Sequence, residues 1–299
     1  MTDTGPPAAP RSRPLKGVLL VVLATLGFAM TDALTKLLTV SHPVPVVIAV
    51  RYLATLGLLS LVLGPRVGTR LWRTDRPWLV MLRGLFLALA VLSMGLALRR
   101  MPVGEAVAIG YLAPFLVMLL AIPLLGERIA ATGWICAATG FLGVLLIARP
   151  GGGLDPTGVA YAFANAGCSA AYHLLTRHLS KSESTIALLY HSALVGSVVF
   201  CALAAGSIGE IALGAGDLAM MGLLGVIATL GHYFFTAAYR EAPASLLAPV
   251  NYLHLFWAGG FGWLLFAHVP DRWSLAGIAL VCASGAVIAI RARGANRGR

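Results

Sequence analysis

Long apolar runs, each about as long as a bilayer is thick, are the feature that most constrains the fold of this chain. A transmembrane helix needs about 20 consecutive, mostly apolar residues, and runs of this length follow one another along the whole sequence. Charged residues make up only 11% of the chain, against about 25% in a soluble domain. We therefore predict an all-α integral membrane protein. The predicted helices cover residues 16–38, 44–63, 78–98, 102–125, 129–148, 156–178, 184–205, 217–239, 243–267 and 273–291.

The basic residues predict how these ten helices are oriented. With the N-terminus inside, fifteen of the 22 Lys and Arg residues fall on the inner side and four on the outer side, as the positive-inside rule requires. The net charge of +11 thus reflects topology, and no basic face predicts nucleic-acid binding. We expect a multi-pass protein of the bacterial inner membrane with both termini in the cytoplasm.

An internal repeat divides the chain into two halves. When the sequence is aligned with itself at one constant offset, residues in several separate segments match. We call this offset the repeat shift. Chance matches would not keep a single offset over separate segments. The pairs aligned by the repeat shift include Ala29 with Ala170, Lys36 with Arg177, Ala97 with Ala238 and Tyr111 with Tyr252. The predicted organisation is a disordered cytoplasmic tail (1–15), a first repeat (16–150), a second repeat (151–293) and a basic cytoplasmic tail (294–299).

The number of helices in each repeat predicts how the two halves are related. Five helices are an odd number, so the second repeat enters the membrane from the side opposite to the first. The fold class is therefore ten transmembrane helices arranged as two inverted five-helix repeats. Inverted repeats recur in secondary transporters, in which two similar halves enclose a central site.

One segment carries a resemblance to a known family. Residues 102–128 read PVGEAVAIGYLAPFLVMLLAIPLLGER, a small-residue helix with Pro114 near its middle and a Gly126-Glu127-Arg128 end. In this respect the chain resembles the EamA-type proteins of the drug/metabolite transporter superfamily. The second repeat departs from the pattern, because Ala267, His268 and Val269 replace the terminal motif.

The resemblance implies a transporter with a central cavity lined by the first four helices of each repeat. Members of the superfamily transport amino acids, sugars, nucleotide-like cofactors and drugs. By length and architecture the resemblance favours an exporter of amino acids or related compounds, and the alternative is an uptake carrier for a nucleotide-like cofactor or other metabolite. The expected partners are a small-molecule substrate and the lipid bilayer, with a monomer or a homodimer as the assembly.

Charged side chains fall inside several predicted spans, where each costs about 2.5 to 3.5 kcal/mol. Asp32 and Lys36 are one turn apart on the first helix and could neutralise each other, and Arg51 and Glu105 lie at a similar outer depth. We interpret these residues either as a substrate-facing or gating cluster, or as a structural ion-pair network. Arg83 is expected to extend to the inner surface.

Polar and helix-breaking residues supply the other candidates for the transport path. His173, the repeat equivalent of Asp32, suggests pH-dependent gating, and the alternative is a hydrogen bond between helices. Tyr111, Tyr252, His232 and Asn251 are candidates for a cavity with apolar walls and few polar groups. Pro114 and Pro249 predict breaks within their helices.

An intramembrane enzyme and a membrane scaffold are the rival classes of function. Ser169 and His173, one turn apart, are the nearest approach to a nucleophile and a base. No oxyanion motif, phosphate loop or metal-binding His pair accompanies them. We therefore predict no enzymatic activity, no cofactor and no metal.

Overall fold

The computed structural model describes residues 14–125, 131–149, 153–179, 182–207, 213–241, 247 and 250–297, and no strand occurs in these ranges. The helices of the first half are α1 (Pro14–Ser41), α2 (Val44–Val67), α3 (Pro77–Arg100), α4 (Val103–Gly110), α5 (Ala113–Leu125) and α6 (Ala131–Ala148). Those of the second half are α7 (Pro156–Leu179), α8 (Thr185–Ala204), α9 (Ala215–Glu241), α10 (Leu253–Phe266) and α11 (Arg272–Arg297). A short 3-10 helix, Gly68–Leu71, follows α2.

Apolar side chains on the outside of the bundle mark it as a membrane protein. A soluble protein rarely exposes apolar patches of this extent, and the exposed side chains here include Leu19, Leu23, Leu61, Trp78 and Phe256. Among the residues that the structure describes, five helices are long and apolar enough to cross a membrane, by length and composition: Leu15–Ser41, Val44–Leu71, Pro77–Arg100, Thr185–Ala204 and Ala215–Ala238. Shorter apolar helices cover Val103–Val117, Trp134–Ala148, Leu253–Phe266 and Arg272–Val287.

The contacts between the two halves come in equivalent sets. Helix α1 packs along α9, and α3 packs along α7. The repeat shift exchanges these two pairs, and it likewise exchanges the α2–α9 and α3–α8 contacts. The α2–α8 and α6–α11 contacts are unchanged by this exchange, because each joins a helix to its own repeat equivalent. The halves therefore contact each other with approximate two-fold symmetry.

Two glycines bring helices close together at equivalent places of the two halves. A methyl group on Gly225 of α9 would lie 2.6 Å from the carbonyl oxygen of Arg51 and 2.7 Å from the Cβ of Ala54, both on α2. Its repeat equivalent, Gly84 of α3, faces Val195 of α8 in the same way, at 3.0 Å. Small residues at such positions let helix backbones approach in a membrane.

Aromatic residues mark the interruptions in the two equivalent broken helices. Helix α4 ends at Gly110 and α5 begins at Ala113, so the interruption lies at Tyr111 and Leu112. Tyr252 is the turn residue immediately before α10, and it is the repeat equivalent of Tyr111. Pro114, a predicted break, is the second residue of α5, where the missing N–H of a proline is tolerated.

Some predictions fall on residues outside the described ranges. They are most of the N-terminal tail, the Gly126-Glu127-Arg128 end of the family motif, and Pro249. At the other end of the chain, α11 continues to Arg297, several residues beyond the predicted end of its helix.

Candidate functional site

A cavity of about 230 Å³ lies between the two halves of the bundle. Its walls come from α1, α2, α3, α7, α9 and α10, with apolar side chains such as Phe28 and Met94 between the polar ones. The polar side chains that line it are Thr31, Asp32, Thr35, Arg51, Asn165, Ser169, His232 and His254. An apolar chamber with a few converging polar groups is the usual form of a small-molecule site.

The cavity contains a hydrogen-bonded histidine–carboxylate pair that joins the two halves. Nε2 of His254 on α10 lies 3.0 Å from Oδ2 of Asp32 on α1, and both side chains are mostly buried. The sequence suggested Lys36 as the partner of Asp32, but the Lys36 side chain extends towards the end of α3. Its ammonium group donates hydrogen bonds to the carbonyl oxygens of Leu98 and Met101, at 2.7 and 2.8 Å. Lys36 thus satisfies carbonyls at the end of α3, as cations do at helix C-termini.

Arg51 supplies the positive charge of the cavity. It lies on α2, and its guanidinium carbon is 5.7 Å from the centre of the Tyr52 ring. None of the carboxylates in the described ranges forms an ion pair with it. A half-buried guanidinium that faces a cavity without an anionic partner is available to a ligand.

A second space of about 310 Å³ lies at the end of the bundle where α1 and α3 terminate. We call this space the vestibule and this end the vestibule end; the opposite end, where α1 begins, is the N-terminal end. Lys36, Arg99, Arg100 and His268 line the vestibule. The buried carboxylate of Glu105 lies behind it, 3.0 Å from Nε2 of His268. Glu105 therefore pairs with the residue that follows α10 and lies apart from the cavity that Asp32 and Arg51 share.

Arg83 does not extend to the surface, which corrects the expectation from its position near the start of α3. The residue is 3% exposed. It donates hydrogen bonds to Thr176 and Tyr172 of α7 and to Ser192 and the carbonyl oxygen of Leu188 on α8. The neutral acceptors and the Tyr172 ring satisfy the guanidinium without a carboxylate, so Arg83 fastens α3 to α7 and α8.

The other predicted site residues lie beside the cavity or away from it. The Tyr111 hydroxyl donates a hydrogen bond to the carbonyl oxygen of Asn251 at 2.8 Å, and the Tyr111 and Tyr252 rings are 5.2 Å apart. These three residues join the two helix interruptions next to the cavity, and His232 lines it. His173 lies one turn after Ser169 on α7 and is not among the residues that line the cavity.

Two ion pairs join helices of different halves at opposite ends of the bundle. At the N-terminal end Lys16 lies 2.5 Å from Glu241 and joins α1 to α9. At the vestibule end Arg100 lies 3.0 Å from Asp155 and joins α3 to the start of α7. The hydrogen bond from Arg100 lowers the pKa of the Asp155 carboxyl. Arg100 and Glu241 are repeat equivalents, and Asp155 lies two positions before Thr157, the equivalent of Lys16, so the two pairs occupy similar places with reversed charge.

An ionic contact also joins the last helix of each half. Arg149 follows α6 and hydrogen-bonds to the carboxylate of Asp271, which precedes α11. This contact lowers the pKa of Asp271 to about 2. In the described part of the chain, no three His, Cys, Asp or Glu side chains are grouped so that they could hold a metal ion.

Several polar residues that line the cavity were not among the predicted candidates, and His254 and Asn165 are two of them. His254 was one of several polar residues in its helix, and its pairing with Asp32 depends on how α1 packs against α10. Asn165 donates a hydrogen bond to the carbonyl oxygen of Ala90 at 2.9 Å. An isolated amide in the Ala-rich sequence of α7 was the signal that could have identified Asn165.

The fold and cavity together define a helical membrane protein with a cavity between two similar halves. The sequence profile of the EamA-like transporter family matches residues 15–149 and again residues 156–290. The chain belongs to this family and carries two of its domains. The repeat shift carries the start and the end of the first match onto those of the second.

Named relatives of the chain are transporters. It is 31% identical over 284 residues to a riboflavin transporter of Rhizobium johnstonii, covering 93% of this chain and 92% of the relative. It is 29% identical to the pseudopaline exporter CntI of Pseudomonas aeruginosa, covering 89% and 93%. It is 26% identical to an S-adenosylmethionine uptake transporter of Rickettsia felis, covering 89% and 90%. These names indicate transport rather than enzymatic catalysis.

A solved crystal structure supports the fold. It aligns with a TM-score of 0.64 at 19% identity, covering 94% of this chain and 97% of the other. At this identity the likeness concerns the fold alone.

Proposed function

We propose that this chain is a secondary transporter of small metabolites that works by alternating access. The observation that carries the proposal is the cavity between the two halves, to which both halves contribute polar side chains. In secondary transporters with repeated halves, substrate sites lie at the repeat interface. Rocking of one half against the other would expose such a site to each side of the membrane in turn.

We propose ten spans arranged as two inverted repeats. The constant repeat shift and the equivalent sets of contacts between the halves support this topology. The excess of Lys and Arg at the N-terminal end supports a cytoplasmic location for both termini. The bacterial relatives support insertion in the inner membrane.

The two ion pairs at opposite ends of the bundle are consistent with a bundle that opens first at one end and then at the other. Opening at the vestibule end would separate Arg100 from Asp155, whereas opening at the N-terminal end would separate Lys16 from Glu241. Exposed ion pairs contribute only about 0 to 1 kcal/mol. They would therefore bias the two states only slightly and allow exchange between them.

For direction and substrate, we propose export of amino acids or related compounds across the inner membrane. The relative named as an exporter supports the direction. The riboflavin and S-adenosylmethionine relatives favour a second candidate, the uptake of a nucleotide-like cofactor.

The proposal predicts counterflow by the purified protein in liposomes. Vesicles are loaded with an unlabelled compound and diluted into the same compound carrying a radiolabel. The compounds are L-leucine, L-phenylalanine, riboflavin and S-adenosylmethionine. We expect transient accumulation of at least one label, because an alternating carrier exchanges its substrate without an external energy source. The label recovered inside should be chemically unchanged, since an enzyme would convert it.

Protein-free liposomes and heat-denatured protein are the controls for this measurement. Label at the control level for all four compounds would contradict the proposed function. Accumulation of an amino acid would support the first candidate substrate class, and accumulation of riboflavin or S-adenosylmethionine the second.

A further inference from the structure

The carboxylates along the cavity and vestibule are each engaged by a basic side chain. Asp32 contacts His254, Glu105 contacts His268, and Asp155 contacts Arg100. Each of these pairs crosses from one half of the bundle to the other. These three carboxylates thus already have a partner within the protein.

The positive charges along the same path are not balanced in this way. Arg51 faces the cavity without an ion-pair partner in the described ranges, and Arg99 lines the vestibule, also without one there. The ammonium group of Lys36 donates hydrogen bonds to two backbone carbonyls and also interacts electrostatically with the Glu105 carboxylate, so the unmatched charge of the cavity is that of Arg51. Lys36 lines the vestibule and Asp32 lines the cavity one turn away on α1, so the two spaces are neighbours.

An unmatched guanidinium inside the membrane requires a physical explanation. A charged side chain there costs about 2.5 to 3.5 kcal/mol on insertion scales. Arg83 shows how the protein avoids this cost, since four hydrogen bonds to protein groups satisfy it. Arg51 has no comparable set of partners among the described residues, although it lies in the same bundle. A guanidinium binds carboxylates through two parallel hydrogen bonds. A carboxylate ligand would therefore supply the hydrogen-bond acceptors and the negative charge that Arg51 lacks.

We propose that Arg51 is the substrate-recognition residue and that the transported compound is a small organic anion or zwitterion whose carboxylate binds it. This inference rests on the proposed transport function and names the substrate class of the same site. The cavity of about 230 Å³ is smaller than the range of about 300 to 1,000 Å³ typical of sites for drug-sized ligands. The amide of Asn165 and the hydroxyl of Ser169 line the same chamber and provide neutral polar contacts for the rest of the molecule.

The test compares matched acids and amides in counterflow by the full-length protein in liposomes. The pairs are L-leucine with L-leucinamide, L-phenylalanine with L-phenylalaninamide, and nicotinate with nicotinamide; riboflavin is the compound without a carboxylate. In the wild type we expect an acid to be transported at least about tenfold better than its amide. That ratio corresponds to about 1.4 kcal/mol, close to the lower end of the range for a hydrogen bond to a charged group.

Variants of Arg51 then show whether this residue makes the distinction. Arg51→Gln should remove the preference for the acid, and Arg51→Lys should retain part of it, because a lysine keeps the charge but loses the two parallel hydrogen bonds. Arg66→Gln is the matched control, since Arg66 lies on the same helix away from the cavity. Size-exclusion profiles of all variants separate misfolding from altered recognition, and the conservative Arg51→Lys variant keeps the test informative if Arg51→Gln fails to fold.

The outcomes separate this inference from the proposed function. Flux of riboflavin alone, of amides as readily as acids, or an unchanged acid preference in Arg51→Gln would overturn the inference while leaving transport intact. Absence of flux for every probe would overturn both.

Discussion

Replacing Asp32 with Asn is expected to reduce counterflow by roughly tenfold or more. The change removes the negative charge that faces His254 at 3.0 Å inside the bundle. A hydrogen bond to a charged group is worth about 1.5 to 3 kcal/mol, and about 1.4 kcal/mol corresponds to a factor of ten. The pair joins α1 to α10, so its loss affects both the cavity and the contact between the two halves. Initial rates of counterflow in liposomes measure the effect.

Two further variants decide whether the pair is responsible. His254→Gln removes the partner and should reduce transport by a similar factor, and the double variant should be no worse than either single one. Asp75→Asn is the control, because this exposed carboxylate precedes α3 at the N-terminal end of the bundle. If Asp32→Asn transports as fast as Asp75→Asn, the pair has no role in transport.

Replacing Gly225 with Ala is expected to destabilise the bundle by about 1 to 3 kcal/mol, the usual cost of overpacking. The added methyl group would lie 2.6 Å from the Arg51 carbonyl oxygen and 2.7 Å from the Ala54 Cβ. A backbone atom cannot move aside as a flexible side chain can, so α2 and α9 must separate. The free energy of unfolding in mixed micelles measures this loss, and transport should also fall because Arg51 shifts with α2.

Gly222 provides a matched control on the same helix. A methyl group there meets nothing within 4 Å, and alanine favours a helix over glycine by about 1 kcal/mol. Gly222→Ala should therefore be neutral or stabilising. Equal stabilities of the two variants would mean that α2 and α9 are not in the close contact described.

The sequence predicted the positions of several helices, because long apolar runs bounded by turn residues mark them, whereas the predicted helix 102–125 is interrupted at Tyr111 and Leu112. Helix α2 begins at Val44, as predicted, and α7 covers Pro156–Leu179 against a prediction of 156–178. The family membership was also predicted from the segment around Pro114, and the profile match confirms it. Apolar runs and breaking residues are local signals, so one sequence is sufficient to recognise them.

The partners of the polar residues could not be predicted in the same way. Asp32 has Lys36 one turn away, but the rotation of α1 presents it to His254, far along the chain. Because Arg83 lies near the start of a helix, we expected its side chain to be exposed. Instead, the side chains of Tyr172 and Thr176, one turn apart on α7, accept hydrogen bonds from its guanidinium. Such pairings depend on the relative rotation of packed helices, which hydrophobic periodicity alone does not fix.

Alternating access requires that the cavity can be reached from each side of the membrane, and this can be measured. Ser169 lines the cavity and can be changed to Cys in a protein whose native residues Cys136, Cys168, Cys201 and Cys282 are replaced. A membrane-impermeant thiol reagent is then applied to inside-out and to right-side-out vesicles, with and without a transported compound. We predict that the cysteine reacts from either side and that the compound changes the two rates in opposite directions. Reaction from one side only, unaffected by any transported compound, would contradict alternating access.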